Sequence, residues 1–506
     1  MQSRSVTIPA PVRGWNTRDP LDKMDAAYAT KLINFFPDQG YVRTRRGSIQ
    51  HCNTGINAPI RTLAELPLAN GTSKFIACVG TRFVDVTTSS PSLLGSAITN
   101  PTWHHVVTNN RLVLVNGTDA PQTYNGTIWT TLSVSSSQPS ITLTPENLVH
   151  VSQYKGRLFF TEKDSSFVWH TDPGAYQGTL HRIDYSYLLQ RGGRVVFTAP
   201  WSRDTGIGLQ DYYIIVSSEG EVLVYEGDNP TTYDPANPTQ WTIYARFFLP
   251  PLVAGRRCFI NLGSDLLIVH RAGITPMSAL LAGNASSTFA SITDTINKAF
   301  QQATASYGGN EGWCCCYHAD SPILYVNIPV LNAAEQYILN PVTGAWARYV
   351  GMNANVWATL DNELFFGGQG GIVYKADTGN ADSGTPIRAE YNSAYNYFGD
   401  RGRIKRFTMV RPHTKSPQGQ QFIVGTDVDF ANKAISTPAS STVTSAVWNS
   451  SLWNSGLWAQ SLVSSDDVLS ATALGRCASL SFAIETQTGV FEVYAASITY
   501  EQGGLF

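Results

Sequence analysis

The residues that first invite chemistry are Cys314, Cys315 and Cys316, followed by His318. Thiolates and imidazole are the donors that zinc prefers, so such a cluster raises the question of a metal centre. Consecutive residues on a strand point to opposite faces, however, and three in a row cannot converge on one tetrahedral ion. No Cys-x-x-Cys pair elsewhere supplies the missing ligands. The expectation is a strand of small buried residues, where free cysteine behaves as a hydrophobe. The loop 377–382 (DTGNAD) gathers hard oxygen donors suited to Ca²⁺. It lacks the ligand spacing and terminal bidentate glutamate of a calcium loop, and reads as an interdomain turn.

Two further constellations concern binding. Arg401, Arg403, Lys405, Arg406 and Arg411 form the densest basic stretch of the chain. On a strand, alternate members would share one face and could line the path of a polyanion such as DNA in a channel. The competing and favoured reading is a solvated edge that charge protects against stray pairing. The segment VWNSSLWNSGLWAQS places Trp448, Trp453 and Trp458 at intervals of five. That period suits neither a straight helix nor a flat strand, so a looped or bulged ribbon is expected. Three indoles with almost no charge beside them must be covered, either by the fold's own core or, the reading we favour, by a neighbouring subunit.

The nucleophile elbow, the phosphate-binding loop, the dinucleotide glycine fingerprint, the zinc-protease helix and the EF-hand loop are all absent as spelled motifs. Neither ligand spacing nor a nucleophile–base constellation is present, so the expectation is a non-enzymatic chain without cofactor or metal. Seven cysteines, an odd number without paired spacing, argue against a disulfide framework. The net charge of −2 gives no overall footprint for wrapping nucleic acid. No run of about 18 apolar residues is present, and the first residues lack the apolar segment of a secretion signal, so synthesis in a cytosol without stable membrane insertion is expected.

What must position these residues is a set of strands. Charged residues make up 14% of the chain, against roughly 25% in an average globular protein, while Gly (42), Pro (26), Tyr (23) and Phe (22) abound. That balance favours sheets, turns and protein–protein surface. The clearest helical spacing is in Asp25 to Asn34 (DAAYATKLIN), with Asp25 placed to cap a first turn. Elsewhere short apolar runs are separated by Gly, Asn, Asp and Pro. Segments beginning at Lys74, Asn109, Tyr154, Ser218, Leu262, Asp320 and Asp361 share one plan: a turn, a polar residue, three or four apolar residues, then a second turn. Their spacing of roughly 40–65 residues is near the length of a four-stranded propeller blade. An all-β chain is therefore expected, with a β-propeller of about seven blades (six or eight being alternatives) over 58–384. A short N-terminal arm with one helix and a first strand region would occupy 1–57. A β-sandwich-like platform would occupy 385–506, after the polar connector DTGNADSGTPIRAE.

The N-terminal segment from Gly14 to Gly47, GWNTRDPLDKMDAAYATKLINFFPDQGYVRTRRG, resembles the opening of tail nozzle, or tail tubular, proteins of short-tailed phages. Gly14, Asn16, Arg18, Pro20, Leu32, Asn34, Pro37, Gly40, Val42, Arg45 and Gly47 occupy the positions of that pattern. The resemblance covers under a tenth of the chain. It implies a virion structural protein that forms a homo-oligomeric ring, a hexamer, at the distal end of the tail. Such a ring retains packaged double-stranded DNA and conducts it during ejection, with a tail adaptor and tail fibres or spikes as partners. For the arm itself, Leu32, Phe35 and Phe36 would pack the small helix against the first blade, and an N-terminal strand closing the propeller ring is equally compatible. The alternatives are a glycan-binding or glycan-cleaving propeller, such as a tailspike or lectin, and a proximal head-to-tail adaptor.

Overall fold

The structure, a computed structural model, describes all residues except 1–2, 97, 205–208, 231–240, 283–290, 332, 417–420, 437–462, 466–467, 487–488 and 506. Seven small antiparallel sheets follow one another along the chain from Ile60 to Ala376. Their first strands are Ile60–Pro67, His104–Thr108, Leu148–Tyr154, Val195–Asp204, Phe259–Leu262, Cys314–His318 and Val356–Leu360. These strands succeed one another in space around a ring, the fourth sheet meeting the fifth through Asp265–His270 and the seventh returning to the first. These sheets form a seven-bladed β-propeller. Blade 3 carries a fifth strand, Val134–Ser136, added in parallel to Gly178–Asp184, and blade 5 has three strands.

The apolar runs explain the ring. In the second strand of blade 2, Leu112 and Leu114 enter the core shared with blade 1, whereas Val113 and Val115 enter the core shared with blade 3. Phe159 and its neighbours Leu158 and Phe160 divide in the same way between blades 4 and 2. A blade strand has two buried faces, so it is apolar at every position instead of alternating with polar residues. The ring is latched by Ser48–Asn53, which supplies the outer strand of blade 7 by pairing with Ile372–Ala376. Residues 48–53 therefore belong to the propeller.

The rest of the N-terminal segment is not a free arm. Ser3–Pro9 pairs with Glu492–Leu505 at the far end of the chain, and Val42–Thr44 pairs with the same strand. Together with Arg403–Ser416 and Leu469–Gly475 they make one sheet of a platform. The second sheet is Tyr28–Ile33, Thr385–Ser393, Ala478–Thr486 and Phe422–Val428. Residues from both sheets, among them Phe407, Val410, Leu480, Ile498 and Tyr500, share a core, as in a β-sandwich. This second sheet is hydrogen-bonded to the propeller directly, where Ile33 pairs with Arg348 of blade 6, and through two short bridging strands. Gly14–Trp15 bridges it to the outer strand of blade 6, and Ala381–Asp382 bridges it to the latch strand of blade 7.

The expected helix over Asp25 to Asn34 is absent. Asp25 does make a capping turn, its Oδ1 accepting from the Ala27 amide at 2.8 Å, but the chain then extends as Tyr28–Ile33. A β-bulge between Ala29 and Lys31 adds one residue to the strand, so the buried Ala29 and Leu32 stand three apart. An irregular strand thereby imitates helical spacing. Phe35 packs on Tyr391 and Phe482 of the platform, not on the first blade. Among the described residues no helix is long and apolar enough to cross a membrane.

Candidate functional site

The N-terminal motif forms the joint between platform and propeller. Asn34 sits at φ +56°, a left-handed conformation that asparagine tolerates better than most residues. This turns its side chain so that Nδ2 donates to the Arg388 carbonyl at 2.8 Å, while Oδ1 accepts from Arg45 Nε and from the Val350 amide, both at 2.9 Å. The Arg45 guanidinium forks onto Asp382, with Nη1 at 3.0 Å, and Nη2 also donates to the Val350 carbonyl at 2.9 Å. Its side chain is 1% exposed. One arginine thus ties Asn34, blade 6, the connector and the latch strand, since Ser48 also donates to Asp382.

The other motif residues surround this joint. Gly14 has φ +83°, and a Cβ there would lie 2.5 Å from the Trp346 carbonyl oxygen; at Gly47 it would lie 2.0 Å from that of Ala381. Both are places where backbones approach too closely for a side chain. Asn16 Oδ1 accepts from the amides of Arg18 and Asp19, and Arg18 forms ion pairs with Asp19 and Asp294. Those carboxylates hold the Arg18 guanidinium above its usual range. Pro20 opens the turn closed by the Lys23 amide, the Pro37 carbonyl accepts from Asn340 at 3.0 Å, and Gly40 turns the hairpin at φ +86°. A groove of about 580 Å³ runs past Asn34, Arg45, Asp382, Arg388 and Glu390. Its charges are matched within the fold: Arg45 by Asp382, and Glu390 by Lys31 and Arg388.

The basic stretch divides. Lys405 is fully buried, its ammonium donating to the carbonyls of Asp400, Arg403 and Arg476. It is therefore no part of a charged face. Arg403 turns to Asp400 at 3.4 Å, and Arg401 lies over the Tyr397 ring with Asp22 at 3.7 Å. Arg406 and Arg411 are exposed on the outer side of the strand Arg403–Ser416, near the exposed Met409 and Leu474. Trp448, Trp453 and Trp458 lie outside the described residues.

The three cysteines occupy the inner strand of blade 6 with alternating burial, as a strand requires. Desolvation raises the thiol of Cys314 to about 11 and that of Cys316 to about 12, which disfavours the thiolate a metal needs. His318 faces Asp377 at 3.5 Å and Arg45 pairs with Asp382, so both acidic ends of the 377–382 loop face basic side chains of the fold. Among the described residues no group of three His, Cys, Asp or Glu is placed to hold a metal ion.

Sequence reasoning passed over Arg256 and Arg257, which lie on the propeller axis. Only the closed ring brings them to the centre. The sole local signal was a double arginine preceding an inner strand in a chain poor in charge.

No family model and no curated protein matches the chain. Among solved structures it is similar to YCF48 bound to a D1 peptide, at 12% identity and a TM-score of 0.39, covering 69% of this chain and 98% of that one. It is also similar to the BBS1N domain in complex with ARL6DN, at 10% identity and a TM-score of 0.41, covering 67% and 100%. A third is the extracellular domain of a hybrid two-component system of B. thetaiotaomicron, at 12% identity and a TM-score of 0.40, covering 66% and 41%.

Proposed function

We propose that this chain is a structural subunit of a short phage tail, a nozzle-type protein that assembles into a ring and passes DNA along the ring's centre. The observation that carries the reading is the role of the motif that prompted it. Asn34, Arg45, Gly14 and Gly47 are spent on bolting a platform to a propeller, which is the pairing of domains that the resemblance implies. A subunit that bears load during ejection needs such a rigid joint, and a buried guanidinium forked onto a carboxylate supplies geometry that a loose linker cannot. Ring contacts belong on the platform, where Met409 and Leu474 are 49% and 64% exposed beside Arg406 and Arg411. The Trp448, Trp453 and Trp458 ribbon is the second contact in this reading.

Mass photometry and negative-stain imaging of the purified full chain, alone and with its tail adaptor, test the proposal. A closed ring of subunits is the expected result. A chain that stays monomeric with the adaptor and binds host oligosaccharide would instead be a glycan-recognition propeller.

A further inference from the structure

Two cavities lie along the propeller axis. The larger, about 380 Å³, is bounded by inner-strand residues of all seven blades, from Leu63 through His105, His150, Thr198, Phe259 and Cys315 to Val356. The smaller, about 190 Å³, opens toward Arg61, Asn100, Thr102, Arg194 and Glu311. Arg256 and Arg257 line both. Arg257 starts before the inner strand of blade 5 and reaches the far side of the ring. There it donates to the carbonyls of Arg61 at 2.9 Å and Trp103 at 2.6 Å, in and beside blades 1 and 2. It is a crossbar over the channel. Arg256 donates through Nη1 alone, to the carbonyls of Val195 and Val196 beside blade 4.

The charges do not balance. Four arginines face the smaller cavity against one carboxylate, Glu311. Arg194 pairs with Asp164 at 3.1 Å, but among the described residues Arg61, Arg256 and Arg257 have no ion-pair partner. Four carbonyl oxygens and the Thr62 hydroxyl, which accepts from Arg257 Nη2 at 3.3 Å, take half of the N–H groups of Arg256 and Arg257, since each guanidinium has five. Among the described residues the Nε atoms of Arg256 and Arg257 and the Nη2 atom of Arg256 make no hydrogen bond. Both arginines retain surface open to the cavity, yet the surrounding protein is close enough to bring Arg256 down to about 10 and to lower Arg257. A half-buried cation without a counter-charge loses part of its hydration, and an anion between several such cations recovers that cost. His150, 3% exposed on the larger cavity, has Nδ1 without a hydrogen-bond partner among the described residues, and desolvation holds its pKa near 3, so it adds no charge at neutral pH.

We propose that the propeller axis holds a small tetrahedral oxyanion, phosphate or sulfate, between Arg61, Arg256 and Arg257. The donors arrive from blades 1 and 5, on opposite sides of the ring, and suit an ion that accepts in several directions. A carboxylate accepts essentially in one plane. The smaller cavity, about 190 Å³, exceeds by more than about tenfold the 10–15 Å³ that a single water needs, which leaves room for the ion with a few waters. The bound ion would stiffen the ring by tying blade 5 to blade 1 through charge, in addition to the strand latch at blade 7.

The test is thermal unfolding of the full chain at pH 7.5, titrated with phosphate, sulfate or acetate, with ionic strength held constant by chloride. Phosphate and sulfate are expected to raise Tm saturably, and acetate is not. Arg61→Gln, whose side chain has no internal partner among the described residues, and Arg256→Gln should each fold and shift half-saturation at least about tenfold upward. Any of three results overturns the site: no saturable rise above the chloride control, acetate saturating like phosphate, or both variants saturating at the wild-type concentration.

Discussion

The propeller and the platform are both built of antiparallel strands, but they pair them over different distances. In the propeller nearly every strand pairs with its neighbour in sequence, as when Arg111–Val115 pairs with His104–Thr108 and Gln122–Tyr124. In the platform Ser3 pairs with Glu501, and Val42 with Val493. Their buried polar groups differ as well. The propeller region contains eight of the nine histidines, whereas the platform has His413 and relies on buried Lys405 and Asp427. Local pairing makes a blade robust and repeatable. Pairing the termini makes the platform depend on the whole chain being present.

The largest expected effect separates the two regions by acid. Desolvation holds buried His150 near pKa 3 and buried His170 and His270 near 4, all below the ordinary 6.5. Between those values and 6.5 the unfolded chain binds protons that the folded chain does not, so stability falls as pH falls through that window. Each histidine contributes up to about 1.4 kcal/mol per pH unit. Burial raises Asp427 in the platform, which has the opposite sign: above 3.8 its folded form holds a proton more tightly, and acid favours it. Pulsed hydrogen exchange after incubation at pH 4.5 should therefore show blades 3 to 5 opening before Ala478–Thr486. Simultaneous opening would break the comparison.

The joint between the regions comes next. Arg45→Ala removes one partner of a buried pair and strands Asp382, and should cost about 3–5 kcal/mol. Because the same side chain links both regions, calorimetry should show two transitions in the variant where the parent shows one. A single transition with unchanged Tm would mean that the hydrogen-bonded sheet alone couples them.

The same contrast governs what could be read from the sequence. The seven blade segments were legible because each is a local hairpin with turn residues at both ends. In six of them the shared apolar run is the second strand, and in blade 4 it is the third, Glu221–Glu226. The platform strands of the N-terminal segment were not legible, since their partners lie more than 350 residues away. The bulge at Ala29 and Lys31 disguised a strand as a helix. Arg45 could be named from its motif, but its role needed Asp382, brought close by the connector hairpin. The axial arginines could not be paired with a cavity until the ring was closed.

The smallest effects sharpen the reading of the basic strand, where adjacent residues have opposite roles. Lys405→Met leaves three carbonyl oxygens without their donor and should cost about 1–3 kcal/mol, seen as a lower Tm. Arg406 is 64% exposed in its side chain, with Glu501 only at 4.0 Å, so Arg406→Gln should leave stability within about 0.5 kcal/mol. Its effect would appear instead in binding. If this face meets the DNA backbone, each phosphate contact contributes about 0.9 to the slope of log affinity against log salt, and the variant should lower that slope by about 1 for any DNA sequence. Fluorescence anisotropy with a short duplex at several salt concentrations measures it. A slope equal to the parent's would leave Arg406 as a guard on a solvated strand, and would move the proposed DNA path away from this sheet.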